Sequence, residues 1–198
     1  RPVSGTVAPK PYVMLGAHYD HLGRGGHGNS LAKKEEAGQI HYGADDNASG
    51  VAAVLVAGAQ LSEMSRARGV VLALWSGEEL GLLGSADFVK QQPIPMDQVA
   101  AYVNFDMVGR MRDGKLTVQA VGTSEIWPEL VEETNTAFGF NLSLMSDPYL
   151  PTDIMSINQA SIPSLGFFTG SHEFYHRPTD VPSTINFDDL DRIAQFAA

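Results

Sequence analysis

The spacing of apolar residues divides the chain into short strand-like runs and longer stretches with helical periodicity. A strand pair is predicted at the start, Val3–Val7 and Tyr12–His18, around the Pro-rich turn "APKP". Further strands are predicted in "RGVVLALWSG", "QVAAYVNFDMVG", Lys115–Val121, Leu142–Met145 and "IPSLGFF", and helices over Asn47–Met64, "LGLLGSADFVKQQP", Ile126–Phe138 and "FDDLDRIAQFAA". The intervening segments, residues 23–43, "SDPYLPTDIMSIN" and "TGSHEFYHRPTDVPST", are predicted to be irregular.

This alternation predicts an α/β fold, a three-layer sandwich whose mixed, mostly parallel sheet is covered by helices on both faces. The opening strand pair is expected to supply the antiparallel part of the sheet. Ligands of such sheets bind beyond the carboxyl ends of the strands. Histidines and carboxylates follow the strand-like runs at that edge: His18, Asp20, Glu78, Glu79, Asp106 and His176.

Composition narrows the class of protein. With 198 residues, 43% of them hydrophobic, the chain is expected to form one domain. The formal charge of −10 and the lack of a long basic cluster argue against a nucleic-acid partner. No apolar run is long enough for a membrane span. The missing initial Met and the helical pattern still under way at the last residue indicate a piece of a longer protein.

The stretch "YGADDNASGVAAVLV" places two adjacent aspartates, Asp45 and Asp46, at the mouth of an apolar helix. Taken alone, this pattern is typical of a helix N-cap. A metal ligand is the alternative interpretation, and it depends on the rest of the chain. Because the chain has no Cys, any metal must be held by His, Asp and Glu.

Each of the strand-end groups also has an ordinary structural interpretation. His18 is compatible with a hydrogen-bonded core histidine, Glu78 and Glu79 with an acidic first helical turn, and Asp106 with a turn cap. Together they favour a metal site, since buried carboxylates cluster when a cation offsets their repulsion. The set suits zinc and, less selectively, manganese or cobalt. Two ions bridged by Asp46 would acidify a water between them and polarise a carbonyl, the chemistry of peptide hydrolysis.

Five blocks in order, "GAHYDH", "GADDNASG", "GEE", "NFDMVG" and "YHRPTD", resemble the signature of the co-catalytic di-zinc aminopeptidases of clan MH. Glutamate carboxypeptidases, glutaminyl cyclases and the transferrin receptor ectodomain are relatives. The resemblance implies a single zinc-peptidase catalytic domain with the phosphorylase/hydrolase-like fold of zinc exopeptidases. It also implies an extracellular or periplasmic, secreted protein.

Carried over block by block, the resemblance implies two Zn²⁺ ions per chain. His18 and Asp106 would bind one ion, Glu79 and His176 the other, and Asp46 would bridge them.

The resemblance also implies three catalytic or supporting groups. Glu78 would be the general base. It would take a proton from the attacking water and deliver it to the leaving amine. Asp20 would fix the tautomer of the His18 imidazole. Tyr175 would stabilise the oxyanion, with a packed aromatic ring as the alternative.

A rival motif, "HEFYH" at 172–176, matches the H-E-x-x-H pattern of single-zinc proteases, with Glu173 as the base. Gly170 and Pro178 leave little room for a helix there, so His172 is expected to be a pocket-rim or structural residue. The segment "LPTDIMSI" departs from the family's Ser-Asp-His pattern, with only Asp153 corresponding.

The sequence therefore predicts a zinc-dependent aminopeptidase that acts on peptides with a free N-terminus. An acidic metal site suits the substrate's α-ammonium group, whereas a carboxypeptidase would need a cation placed for the substrate carboxylate. The alternatives are a carboxypeptidase, a glutaminyl cyclase with one catalytic zinc, or a metal-free receptor domain.

Overall fold

The computed structural model describes residues 11–198, which form a six-stranded sheet with helices on both faces. The strands are β1 Tyr12–His18, β2 Val70–Trp75, β3 Val99–Phe105, β4 Lys115–Gln119, β5 Asn141–Leu144 and β6 Ser164–Phe168. The helices are α1 Gly50–Glu63, α2 Leu83–Gln91, α3 Trp127–Asn135, α4 Asp153–Gln159 and α5 Phe187–Ala197. None of these helices has the length and apolar character that a transmembrane segment needs.

The spatial order of the strands is β2-β1-β3-β6-β4-β5. All neighbouring pairs are parallel except β4 and β6, which run antiparallel. The predicted mixed, mostly parallel sheet is thus confirmed, but among residues 11–198 its antiparallel part comes from β4. The predicted strand Val3–Val7 lies outside the described residues.

Two hydrophobic cores lie on opposite faces of the sheet, as a three-layer sandwich requires. Successive residues of a strand point to opposite faces. In β1, Leu15 accordingly packs in the core beneath α1, α3 and α5, whereas Met14 packs in the core that includes Ile154 and Ile157 of α4. All four of these side chains are buried, so β1 is covered on both sides.

Helix α4 is the main element that the sequence pattern missed, since "SDPYLPTDIMSIN" was expected to be irregular. Ile154 and Ile157, three positions apart, are fully buried against the sheet. A helix of 7 residues is too short to show a repeating period in its sequence. The tertiary contact, rather than the local pattern, therefore determines this helix.

The helix after the two aspartates begins later than predicted. Asp46 and Asn47 have non-helical backbone angles, and α1 starts at Gly50. The Asn47 side chain accepts a hydrogen bond from the Gly50 N–H at 3.0 Å. A side chain at Gly50 would come within 2.3 Å of the Phe105 carbonyl oxygen, so glycine allows the helix start to lie against the end of β3.

Candidate metal centre

The strand order changes direction at β1, because β2 lies on one side of it and β3 on the other. Side chains at such a point converge beyond the carboxyl ends of the strands. His18 ends β1, Asp106 directly follows β3, and Glu78 and Glu79 follow β2. The turn that carries Asp46 faces the same edge.

One ligand set surrounds His18. Its Nε2 atom lies 3.3 Å from Asp46 Oδ1 and 3.6 Å from Asp106 Oδ1. A ligand atom of Glu78 lies within 4.8 Å of those of His18 and Asp106. His18 and Asp46 are buried, with 2% and 3% of their surface exposed.

A second ligand set lies on the other side of Asp46. His176 Nε2 is 3.2 Å from Asp46 Oδ2 and 3.2 Å from Glu79 Oε2. Asp46 therefore presents one carboxylate oxygen to each set. All five residues that the resemblance implied as ligands lie together.

The spacing of these atoms fits zinc. Two atoms bound to one tetrahedral Zn²⁺ at about 2.0–2.2 Å lie roughly 3.3–3.5 Å apart. The contacts within each set, 3.2 to 3.6 Å, lie close to that separation. The donors are imidazole nitrogens and carboxylate oxygens, which zinc accepts readily.

The electrostatics of the centre favour a cation. Burial lowers the pKa of His18, but its hydrogen bonds with Asp106 and Asp46 outweigh burial and raise that pKa to about 12. Burial also lowers the pKa of His176, but its hydrogen bonds with Asp46 and Glu79 outweigh burial and raise that pKa to about 10. Both histidines thus lie in a strongly negative local potential, which a divalent ion would neutralise.

Asp45 points away from both sets. Its Oδ1 accepts a hydrogen bond from the Gly109 N–H at 2.7 Å, and its Oδ2 lies 3.0 Å from His172 Nε2. The buried Asp180 carboxylate accepts the backbone N–H groups of Asp45 and Asp46 at 3.0 and 3.1 Å. These contacts fix the turn so that the Asp46 carboxylate faces the centre.

His172 contacts Asp45 rather than either ligand set, which is compatible with the expected pocket-rim or structural role. Its segment forms a turn rather than a helix, and His176 has a positive φ of 55°. His172 and His176 therefore do not share a helical face, and the single-zinc interpretation of "HEFYH" does not fit the structure.

Asp20 lies in the centre but contacts His18 differently from the expectation. His18 Nδ1 is 3.2 Å from the Asp20 carbonyl oxygen and 3.8 Å from its carboxylate. The carboxylate instead accepts the backbone N–H groups of Glu78 and Glu79 at 3.1 and 3.3 Å. Asp20 thus orients the His18 ring through its backbone and the Glu78–Glu79 turn through its side chain.

Glu78 and Tyr175 border a cavity of about 350 Å³ that opens from the metal centre. Burial raises the pKa of Glu78 to about 8. The charge of His18 opposes this rise, and the charges of nearby carboxylates add to it. The Tyr175 ring stacks on His176, with ring centroids 3.8 Å apart. Met107, Leu150 and Phe168 give the cavity an apolar wall.

Sequence reasoning missed several contacts made by the long loop between β1 and α1. The Asn29 carbonyl oxygen accepts from His176 Nδ1 at 2.7 Å, and the Asn29 amide donates to the Glu79 side chain at 3.3 Å. His21 Nδ1 lies 2.8 Å from Glu79 Oε1. Only the presence of His21 in the block "GAHYDH" signalled such a role in advance.

Comparisons with known proteins identify the family of this chain. The profile of peptidase family M28 matches residues 3–198. A probable lipoprotein aminopeptidase of Mycobacterium tuberculosis is 36% identical over 107 residues, which cover 53% of this chain and 18% of that protein. The chain thus spans a small part of this relative's length.

Solved structures share the fold. A zinc aminopeptidase from Bacillus subtilis superposes with a TM-score of 0.76 at 23% identity, covering 95% of this chain and 44% of that one. A glutaminyl cyclase of Porphyromonas gingivalis superposes with a TM-score of 0.75 at 19% identity, covering 94% and 70%. Since the family profile covers nearly the whole sequence, the chain belongs to peptidase family M28.

Proposed function

We propose that this chain is the catalytic domain of a zinc-dependent aminopeptidase that binds two Zn²⁺ ions. The observation that carries the proposal is the pair of ligand sets that share Asp46, with donor separations of 3.2 to 3.6 Å. His18, Asp106 and Asp46 Oδ1 would hold one ion, at site 1. Glu79, His176 and Asp46 Oδ2 would hold the other, at site 2.

Zinc at these sites would supply Lewis acidity, which lowers the pKa of water and polarises a peptide carbonyl. Glu78 would carry the proton between the two reacting groups. One of its carboxylate oxygens takes the proton from the attacking water and then delivers it to the leaving amine nitrogen. The protein surroundings alone raise the Glu78 pKa to about 8, and nearby cations would favour its ionised form.

Tyr175 would stabilise the developing negative charge on the substrate carbonyl oxygen by donating its phenol O–H. Burial, with the charges of Asp46 and other carboxylates, raises the pKa of Tyr175 above its ordinary value. The phenol therefore keeps its proton near neutral pH. Stacking on His176 limits the positions that its ring can adopt.

The choice of an aminopeptidase rests on charge. Among residues 11–198, neither Lys nor Arg lines the 350 Å³ cavity. Arg177 pairs with Glu36 at 2.6 Å, and the Arg110 guanidinium lies over the Phe174 ring. A substrate α-ammonium thus meets carboxylates here, whereas a substrate carboxylate finds no cation among the described lining side chains.

Paired substrates test this choice. With zinc present, we expect rapid hydrolysis of an aminoacyl amide and little hydrolysis of its N-acetylated form, because acetylation removes the ammonium charge. Equal turnover of both would overturn the aminopeptidase assignment. Zinc titration should give two ions per chain, and one ion with cyclisation of N-terminal Gln would support a glutaminyl cyclase instead.

Glu78→Gln tests the mechanism. We expect the variant to bind both zinc ions and to lose about 10²- to 10⁴-fold in kcat, because the amide has nearly the same shape but cannot accept the proton. Zinc content by atomic absorption and kcat are the two measurements. Loss of a zinc ion from this variant would reassign Glu78 as a ligand.

We also propose that the whole protein works outside the cytoplasm, since one relative is described as a lipoprotein aminopeptidase. Fractionation of cells that express the natural protein tests this. Recovery of the activity in the cytoplasmic fraction alone would contradict it.

A further inference from the structure

The His21 side chain is packed tightly beside site 2. It is 10% exposed, and its ring lies edge-on to the His176 ring with centroids 5.9 Å apart. Gly43 makes room for it, since a Cβ at Gly43 would lie 2.7 Å from His21 Cγ. The ring is therefore held in one place by its surroundings.

The two oxygens of Glu79 have different partners. Oε1 lies 2.8 Å from His21 Nδ1, whereas Oε2 lies 3.2 Å from His176 Nε2. The distance between His21 Nδ1 and Asp46 Oδ2 is longer, 3.9 Å. His21 thus contacts one oxygen of Glu79, while the other faces His176 and also accepts a hydrogen bond from the Asn29 amide at 3.3 Å.

The distances separate a ligand from a supporting residue. Two ligands of one zinc ion lie roughly 3.3–3.5 Å apart. The 2.8 Å separation of His21 Nδ1 and Glu79 Oε1 is instead that of a hydrogen bond to a charged acceptor. The ligand atoms of His21, Asp46 and Glu79 lie within 4.8 Å of one another, so direct ligation by His21 is the alternative. The 3.9 Å separation from Asp46 is longer than the tetrahedral value and favours the supporting role.

We propose that His21 is a positioning residue for site 2, donating from Nδ1 to Glu79 Oε1 so that Glu79 binds the second zinc through Oε2 alone. The inference rests on the proposed two-zinc function. His21 would support site 2 only. Of the proposed ligands, Glu79 is the one that His21 contacts at hydrogen-bond distance, and Glu79 belongs to site 2. Removing the donor should weaken site 2 and leave site 1 as it is.

Three variants of the full chain test the proposal by zinc titration against a competing chelator. His21→Leu and His21→Phe remove the donor, while His21→Asn is the matched control, since its amide nitrogen can occupy roughly the place of Nδ1. We expect the apolar variants to bind the second zinc about 10- to 100-fold more weakly, as loss of a ligand's hydrogen-bond partner does elsewhere. His21→Asn should restore most of that affinity, and site 1 should stay unchanged in all three.

Cobalt substitution gives an independent readout. At saturation the visible spectrum of Co²⁺ reports its ligands, so the apolar variants should reach the wild-type spectrum once site 2 is filled. An unchanged site 2 affinity in the apolar variants would overturn the proposal. If the apolar variants gave a different Co²⁺ spectrum at saturation, or if none of the three variants bound a second ion, His21 would be a direct ligand. Either result would overturn the proposal. Wild-type protein that binds fewer than two ions would instead refute the proposed function itself.

Discussion

Asp45 and Asp46 are adjacent in the chain, yet their carboxylates serve different parts of the molecule. Asp46 contacts both histidines of the metal centre, through different oxygens. Asp45 holds Gly109 and His172 and is fully buried. Asp46 thus faces the proposed metal centre, whereas Asp45 holds the backbone and the His172 side chain beside it.

Substitutions of the two aspartates should separate these roles. Asp46→Ala is expected to abolish binding of both zinc ions, because each set loses the oxygen that it takes from Asp46. Asp45→Ala should keep both ions while losing about 1–3 kcal/mol of unfolding free energy, since the Gly109 N–H and His172 lose their buried partner. Calorimetric zinc titration and urea denaturation measure the two effects.

Asp45→Asn is the milder control, because its amide oxygen can still accept from Gly109. Retention of two ions by the Asp46 variant would contradict the bridging role.

At the residue scale, position relative to the strands was enough to predict that three of the proposed ligands lie together. His18, Asp106 and Glu79 follow apolar runs, so strand topology alone brings them to one edge. The contacts of His21 and Asp180 depend on the exact path of irregular loops. Neither residue has a periodic neighbour pattern that could have indicated its partner.

At the scale of elements, one ion pair joins the loop before α1 to the loop that carries His176. The Arg177 guanidinium donates to both oxygens of Glu36, at 2.6 and 3.1 Å. The hydrogen bonds from Arg177 and from the Lys33 N–H lower the pKa of Glu36 to about 2. Since Asn29 also binds His176, the first loop supports the last ligand at two points.

This pair predicts a pH dependence of stability. Because the folded pKa of Glu36 lies below its ordinary value of 4.5, its contribution is present above that value and is lost as the pH falls toward about 2. In chelator-treated protein, the Tm difference between wild type and Glu36→Gln should therefore be largest near pH 6 and shrink over that interval. A Tm difference for Glu36→Gln that stays constant over this interval would contradict the linkage.

The sequence predicted the strands correctly where the apolar runs were long. It misplaced or missed helices where tertiary contacts determine the local structure. Strands β1, β3 and β6 lie within the predicted runs because they are buried on both faces. Strand β2 also lies within its predicted run, although among residues 11–198 it is an edge strand in which Leu72 and Leu74 are exposed. The start of α1 moved to Gly50 because the Asp46 turn takes a non-helical path. Helix α4 carries too few residues for its two buried isoleucines to form a visible period.

At the scale of the whole molecule, the fold holds several carboxylates together in a chain whose formal charge is −10. Such clustering opposes folding unless cations offset it. Zinc that binds the folded state alone stabilises it by about 2.7 kcal/mol per site when free zinc is 100 times Kd. The metal centre is thus expected to stabilise the sheet edge that forms it.

Thermal unfolding tests this coupling. For a chain of this size, about 2.7 kcal/mol corresponds to a rise in Tm of roughly 5–10 °C for each site filled. Differential scanning calorimetry with chelator and with zinc measures the shift. Asp46→Ala should show almost no zinc-dependent shift, and a similar rise in that variant would indicate that zinc acts elsewhere.

The fold class and family were predictable because five separated motifs fall at one edge of a predictable sheet. The family profile over residues 3–198 confirms that expectation. The antiparallel pairing of β4 with β6 was not predictable, since strand direction depends on which distant strands meet.

All the proposed ligands lie beyond the carboxyl ends of the strands, so within residues 11–198 the opposite edge is a suitable place for a label. The turn that leads into β2 lies there, and its residues 64–68 are exposed. Strand β2, 6 residues long, separates this turn from the Glu78–Glu79 turn by about 20 Å. A fluorophore or an affinity tag inserted into that turn would therefore sit about 20 Å from the proposed metal centre.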